Sequence, residues 1–382
     1  MKIINLSSIA NPISISVQNP SRSDYDRFIG LEHYDSGEPV ITRFQGTELL
    51  TTSAKAFKAN DILIARRNVY LKRAGIVFFD GITSGDSIIL RLKEDTQKTI
   101  GYSREDLIRY IPFMLNSEHF WIYANKHADG MNSKRISKDT LLEYEFELPS
   151  IDEMRDISDK LWAAYRLKEA YKKLLVTTDE MVKSQFIEMY YNTHNKQTLE
   201  SVCPIMSKGI TPKYVESSSV LVINQACIHW DGQRLGNIKY HNEEIPVRKR
   251  ILESGDVLLN ATGNGTLGRC CVFICPSDNN TYINDGHVIA LSTDRAVILP
   301  EVLNTYLSLN DTQAEIYRQY VTGSTNQVDI VFSDIKKMKV PVPSMDEQIL
   351  FVEVLTQADK SEFELRKSIE AIDQVIKSLI NN

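Results

Sequence analysis

A chain of 382 residues, 42% of them hydrophobic and 25% charged, has room for two or three domains with cores of their own. Its five cysteines (Cys203, Cys227, Cys270, Cys271, Cys275) exclude a complete disulfide framework by their odd number, and no apolar run approaches the ~20 residues of a membrane span. The net charge of −6 divides as 0 over residues 1–148, −1 over 149–192, −1 over 193–344 and −4 over 345–382, so the acid that would repel a phosphate backbone is gathered at the end.

Along the chain, Asn5, Ser7, Ser8, Asn11 and Pro12 stand where a secretory apolar core would lie, and a cytoplasmic protein with reduced thiols is expected. Residues 60–67, 74–79 and 87–92 read as strands separated by turns. A helix is predicted over 105–126, then a turn at Gly130, Met131, Asn132 and Ser133 and a short strand. Leu148-Pro149-Ser150-Ile151-Asp152-Glu153 opens a long charged helix. Met154, Ile157, Leu161, Ala164, Tyr171, Leu175 and Val182 keep the spacing of three and four on it, and Lys168 interrupts them. Leu167, Leu174, Phe186 and Met189 widen its apolar face.

The second half repeats this grammar. Strands are predicted at 255–260, 269–274 and 286–291, a helix over 300–320 with Pro300 in its first turn, and a turn at Gly323, Ser324, Thr325 and Asn326. Val342-Pro343-Ser344-Met345-Asp346-Glu347-Gln348 restates the junction 194 residues after its first copy, and Asp256 follows Asp61 by 195. Gln348 stands where the first copy has Met154. Leu355, Ala358, Glu362, Leu365, Ile369, Ile372, Ile376 and Leu379 then form a coiled-coil seam to the end. A lone rod of ~35 residues, ~50 Å long, is too thin to bury such a face. The two rods are therefore expected to pair along Leu161, Tyr171, Leu175 and Val182 on one and Leu355, Leu365, Ile369, Ile372, Ile376 and Leu379 on the other.

Catalytic motifs do not survive inspection. Residues 263–268 match G-x-G-x-x-G, but a strand pattern ending at Pro276 follows where a dinucleotide site needs a helix N-terminus. No Walker sequence is present, Asp80 and Asp86 read as turn residues, and Cys270, Cys271, Cys275 and His287 lack zinc-site spacing. Recognition chemistry remains. Arg66, Arg67, Asn68, Lys72 and Arg73 lie in a loop with Tyr70, and Lys134 and Arg135 in the turn before the junction strand. In the second half Lys208, Lys213, Asn260, Thr262, Asn264, Thr266 and Arg269, then Ser324, Thr325, Asn326 and Gln327, occupy matching loops. Arg and Asn read base edges and Lys holds phosphate, and the recurrence at matching places favours a shared DNA surface over solvated loops.

Taken together the residues resemble the specificity subunit of type I restriction-modification systems. The resemblance rests on the repeated Leu-Pro-Ser-x-Asp-Glu junction with its helix, Gly209-Ile210-Thr211-Pro212-Lys213, Val222-Ile223-Asn224-Gln225 and Gly255-Asp256-Val257-Leu258-Leu259. Gly30-Leu31-Glu32-His33 and residues 80–86 look like matching stations in the first half, so it spans essentially the whole chain. It implies an α+β chain: two mixed α/β target recognition domains in pseudo-twofold repeat, each followed by a long helix, the helices pairing as an antiparallel coiled coil. The domains would be 1–148 (first recognition domain), 149–192 (central spacer helix), 193–344 (second recognition domain) and 345–382 (C-terminal spacer helix). Each domain would read half of a bipartite double-stranded DNA target. The helices would act as spacer and as docking platform for two modification subunits, with restriction subunits completing the complex. The chain itself would be no enzyme and hold no cofactor or metal, S-adenosylmethionine, ATP and Mg belonging to the partners. The alternatives are a standalone DNA-binding or anti-restriction protein, the recognition arm of another modification enzyme, or an enzyme with a nucleotide site at 263–268.

Overall fold

The computed structural model describes residues 2–131, 133–191, 193–324 and 327–381. The chain divides into two compact units, residues 1–173 with 365–382 and residues 174–364. Each unit holds one lobe together with parts of both long helices, the central helix Ile151–Phe186 and the terminal helix Met345–Asn381.

In the first unit, strand Lys2–Asn5 pairs antiparallel with Glu145–Leu148, fastening the start of the lobe to its exit. Between them lie two four-stranded sheets. One runs Ala10–Ile13, Ser87–Leu92, Ile62–Ala65, Ala74–Ile76, and the other Ile15–Val17, Ala54–Phe57, Gly81–Thr83, Phe28–Ile29, with its last pair parallel. The uninterrupted apolar run Ile62–Ala65 follows from cover on both faces: Ile62 and Ile64 join the core beneath the helices, while Leu63 and Ala65 join Ile29, Phe57 and Ile89.

The helix expected over 105–126 is two helices, Arg104–Met114 and Glu118–Lys126. Ser117 is extended between them (φ −68°, ψ 155°), and its hydroxyl accepts the Phe120 N–H, so a local N-cap outcompetes helix continuation. The helix expected over 300–320 divides likewise into Pro300–Ser308 and Asn310–Gln319 at Leu309 (ψ 142°). That break lets Leu309 and Ile316 both reach the core.

The second unit repeats the plan. Lys196–Thr198 pairs antiparallel with Lys339–Pro341, and one sheet runs Ile205–Lys208, Val288–Ser292, Val257–Asn260, Cys270–Val272. Its second sheet runs Tyr214–Val215, Lys239–His241, Val220–Ile223, Thr281–Asn284, again with the last pair parallel. The order differs from the first lobe in one respect: there the earlier strand of the parallel pair is at the edge, and here the later one is.

The repeat reaches individual hydrogen bonds. Asn60 (φ +69°) and Gly255 (φ +94°) turn the chain in the left-handed region ahead of an aspartate. Asp61 accepts the Lys58 N–H at 2.8 Å and a fork from Arg91 at 2.7 Å; Asp256 accepts the Glu253 N–H at 2.9 Å, Arg250 at 2.8 Å and Ser292 at 2.6 Å. Both junctions are capping boxes. Glu153 accepts from the Ser150 N–H (2.9 Å) and hydroxyl (2.7 Å), and Glu347 from the same groups of Ser344 at 2.9 and 2.7 Å. At the following position Met154 is buried in the first core, while the buried Gln348 amide accepts from Leu299 N and donates to Val297 O and Pro343 O.

In the first unit Leu161 packs with Phe113, Ile372, Ile376 and Leu379, and Lys168 pairs with Asp373. Central-helix numbers rise as terminal-helix numbers fall, so the segments run antiparallel. In the second unit Phe186 meets Phe351 at 5.1 Å between ring centroids, Val182 and Ala358 join that core, and the Tyr190 hydroxyl donates to Glu347 O. Of the seam residues, Leu161, Val182 and Ile376 are buried, and Tyr171, Leu175, Leu355, Leu365, Ile369, Ile372 and Leu379 half-buried. Leu167 and Leu174 are exposed, whereas Phe186 is buried.

Lys168, an interruption in the apolar pattern, is an ionic junction. Its ammonium lies 2.6 Å from Glu38 Oε1 of the lobe and 2.6 Å from Asp373 Oδ1 of the terminal helix. Lys172 adds contacts to Glu38 (3.0 Å) and Glu169 (2.9 Å). Burial works against the Lys172 charge, but its hydrogen bonds to those carboxylates outweigh it and raise its pKa.

Candidate nucleic-acid interface

In the first lobe, strand Ile62–Ala65 delivers Arg66 and Arg67 into a loop that is bonded to the segment before the junction. Asn68 N donates to Lys134 O (2.7 Å), Ile136 N to Arg66 O (3.0 Å), and Arg67 and Arg135 face each other in an isolated antiparallel bridge. Asn68 (φ +54°) and Lys72 (φ +50°) hold left-handed backbone on either side of a 3-10 turn, Val69–Leu71. Such strained positions persist where surrounding structure fixes them, and here buried Val69 anchors the turn while Tyr70 is exposed.

Asp86 sits among these cations. Its carboxylate oxygens lie 3.6 Å from Arg135 and 3.9 Å from Arg67, ion-pair distances too long for good hydrogen bonds. Arg67 also donates to Ser133 Oγ at 2.9 Å. Arg73 points inward, donating to Leu31 O and Arg67 O, and burial lowers its pKa. Lys55, whose ammonium reaches Gly85 O and Ser87 O, joins the cluster; burial and then the Arg66 charge depress its pKa, Asp86 opposing them.

The second lobe presents the same backbone station with other side chains. Thr262 and Asp329 form the isolated bridge, and Ile330 N donates to Ala261 O (2.8 Å) as Ile136 N does to Arg66 O. Thr262 is 195 residues after Arg67, and Asp329 is 194 after Arg135. Lys208 holds both Asp329 oxygens, at 2.8 and 2.9 Å, and Thr262 Oγ1 lies 2.9 Å from His287 Nδ1. Asp285 accepts the His287 N–H, and burial raises its pKa, the hydrogen bond opposing.

The remaining expected site residues are dispersed. Asn260 is fully buried with its amide donating to Gln225 O, so it supports the loop and offers no base an edge. Arg269 donates to Gly265 O within its loop, Asn264 and Lys213 are exposed, and Thr266 bonds Gln225. Ser324 and Gln327 pair across strands Val321–Ser324 and Gln327–Ile330, and Thr325 and Asn326 lie outside the described residues. Sequence reading missed Lys55, Asp86 and Asp329 as members of the site. Residue type carried no hint of them, but transferring the repeat offset from Arg135 lands on Asp329.

The glycine loop at 263–268 is followed by strand Cys270–Val272, so no helix N-terminus faces it. Gly263 (φ +103°) is needed for packing: a Cβ there would lie 2.2 Å from Thr266 Oγ1. Burial pushes the thiols of Cys203 and Cys271 up to about 12 and raises those of Cys227 and Cys270, the opposite of a reactive or metal-binding thiolate. Among the described residues no group of His, Cys, Asp and Glu is placed to hold a metal, and no helix is long and apolar enough to cross a membrane. In the second unit a groove of about 800 Å³ runs along the helices, lined by Thr178, Met181, Leu350, Glu353 and Ser361 among others.

Residues 195–374 match the family described as type I restriction modification DNA specificity domain. A chain solved in work on complex assembly and conformational transition of the type I R-M system aligns over 99% of this chain and 96% of its own, at 15% identity and a TM-score of 0.59. The S subunit of the type I restriction-modification system of M. genitalium aligns over 99% and 94%, at 13% identity and a TM-score of 0.50. Likeness at such identities is likeness of fold. A comparison with curated proteins finds no match.

Proposed function

We propose that this chain, whose residues 195–374 match the family described as type I restriction modification DNA specificity domain, is a specificity subunit whose two lobes each read one half of a bipartite, gapped DNA sequence. The observation that carries the reading is the twin station. The bridge Arg67 with Arg135 and the bridge Thr262 with Asp329 use one backbone framework, and each is followed by a short strand and a capped long helix. A duplicated scaffold with altered side chains is what two different half-sites require. Neither lobe touches enough base pairs for a unique site, but mismatches cost ~1–3 kcal/mol each and add roughly when well separated, so joining two readers multiplies discrimination.

The contacts fall to Arg67, Arg135, Lys72 and Lys134 in the first lobe and to Thr262, Asn264 and Lys213 in the second. The partners are two modification subunits and the restriction subunits, with the groove beside Met181 and Leu350 giving the helices an apolar surface for one of them. Catalysis and its cofactors reside in those partners, and the chain works in the cytoplasm, where its DNA lies. The four-part division at 148, 192 and 344 describes the working parts.

Methylation-sensitive single-molecule sequencing of host DNA, with and without the gene, tests this. Loss of adenine methylation at one gapped motif is expected, together with recovery of the chain in a stoichiometric complex with modification subunits. Unchanged methylation with the chain purifying alone on DNA refutes it in favour of a standalone binder.

A further inference from the structure

The two stations share a backbone and differ in the sign of their chemistry. At the first, two guanidinium groups stand on facing positions, with side chains 45% and 48% exposed, and an acid lies between them. At the second, the same two positions hold a hydroxyl and a carboxylate, Asp329 being 47% exposed, and Lys208 is the counter-ion. Each station therefore carries one residue of opposite charge that fixes the readers' geometry. Asp86 spreads its oxygens between Arg67 and Arg135 at 3.6–3.9 Å, which leaves the forks uncommitted to it. Lys208 binds Asp329 at both oxygens and cancels the repulsion a bare carboxylate would meet near phosphate. A carboxylate so held retains lone pairs for further donors.

Resting on the reading of DNA by both lobes, we propose that the stations accept bases of opposite hydrogen-bonding character. The Arg67 and Arg135 station takes a guanine, whose major-groove edge offers the acceptors N7 and O6. The Thr262 and Asp329 station takes a base presenting an exocyclic amino group, adenine N6 or cytosine N4, which only an acceptor can receive. Residue types alone do not give this pairing, because Arg269 and Lys208 also put cations in the second lobe. The backbone bridges single out which side chains occupy equivalent places, and Arg269 and Lys208 are turned to Gly265 and Asp329.

The test is chemical deletion on both sides of the interface, using the chain in complex with its modification subunits. Randomised duplexes are selected with the wild type, Arg67→Ala, Arg135→Ala and Asp329→Ala, and the pairs each variant relaxes are mapped. An arginine variant should relax a G·C pair in one half-site and leave the other half-site unchanged, which also shows that the variant is folded. Asp329→Ala should relax a pair in the other half-site. Replacing the mapped guanine by 7-deazaguanine should weaken wild-type binding roughly 5- to 150-fold and leave Arg67→Ala or Arg135→Ala unaffected. Deleting the amino group at the second mapped pair, with purine for adenine or 2-pyrimidinone for cytosine, should do the same for wild type against Asp329→Ala. An A·T pair relaxed by the arginine variants, or wild-type indifference to 7-deazaguanine at every guanine of the motif, overturns the inference while leaving the bipartite reading intact. A wild-type complex that selects no gapped motif overturns both.

Discussion

Replacing Lys168 by methionine isolates the ionic junction from its packing, since the thioether keeps most of the aliphatic volume. The Lys168 side chain is 9% exposed and lies 2.6 Å from carboxylates on Glu38 and Asp373, which are 15% and 37% exposed. Removing one member of a buried ion pair costs ~3–5 kcal/mol when the stranded charge has no other partner. Here Glu38 keeps Lys172 at 3.0 Å and Asp373 reaches water, so a loss of about 2 kcal/mol is expected. Neutralising all three, Lys168→Met with Glu38→Gln and Asp373→Asn, leaves Lys172 its Glu169 partner at 2.9 Å and should return to within about 1 kcal/mol of the wild type. Urea unfolding followed by tryptophan fluorescence in a Trp230→Phe background measures this, because the remaining tryptophans, Trp121 and Trp162, both belong to the first unit. A single variant as stable as the wild type, or a triple variant weaker than the single, refutes the idea that the junction is held by mutual compensation of its charges.

Three further outcomes follow from the geometry. Ser150→Ala and Ser344→Ala each open a capping box and should cost ~1 kcal/mol, measurable as a lowered unfolding midpoint, and equal stability would mean the boxes are ornamental. The fork from Arg155 holds the Asp106 carboxyl below its ordinary value of 3.8, with burial opposing. Because the folded pKa is the lower one, this stabilisation is whole above the unfolded value and is lost as pH falls through the folded value; Asp106→Asn should flatten the acid limb of the stability profile below about pH 4 and leave a pH-independent deficit above it. Inserting one helical turn, about 5.4 Å, near Lys168 should alter the spacer in the methylated motif, and an unchanged spacer would refute the spacer role of the long helices.

Much of the scaffold was legible because it depends on local signals that the chain states twice. The Ser-x-x-Glu boxes, the Asn60 and Gly255 turns and the four-residue apolar strands each recur at an offset of 194 or 195, and recurrence separates signal from accident. The breaks at Ser117 and Leu309 were not legible in the same way, because apolar spacing continues across them and only the hydroxyl cap or the demands of the core decide. Lys168 was misread for a related reason. Heptad patterning scores a lysine at a seam position as a defect, yet both carboxylates that complete it are distant in sequence, Glu38 by 130 residues and Asp373 by 205.

The candidate site shows the same division more sharply. Its position in each lobe follows from main-chain bonds, Ile136 to Arg66 and Ile330 to Ala261, which any pair of side chains can satisfy. The bridge side chains stand at the surface, Arg67 and Thr262 just beyond the buried strands Ile62–Ala65 and Val257–Asn260, and the main-chain bonds do not depend on their identity. A framework with that property accepts different side chains at the same place, and residue identity there carries chemistry rather than fold. Composition, by contrast, misleads there. Counting cations ranked Lys208 and Arg269 with Arg67, yet Lys208 serves Asp329 and Arg269 serves its own loop. What a surface charge does is set by the nearest opposite group, and in this chain those groups, Asp86 and Asp329, were the ones that a search for basic residues passes over.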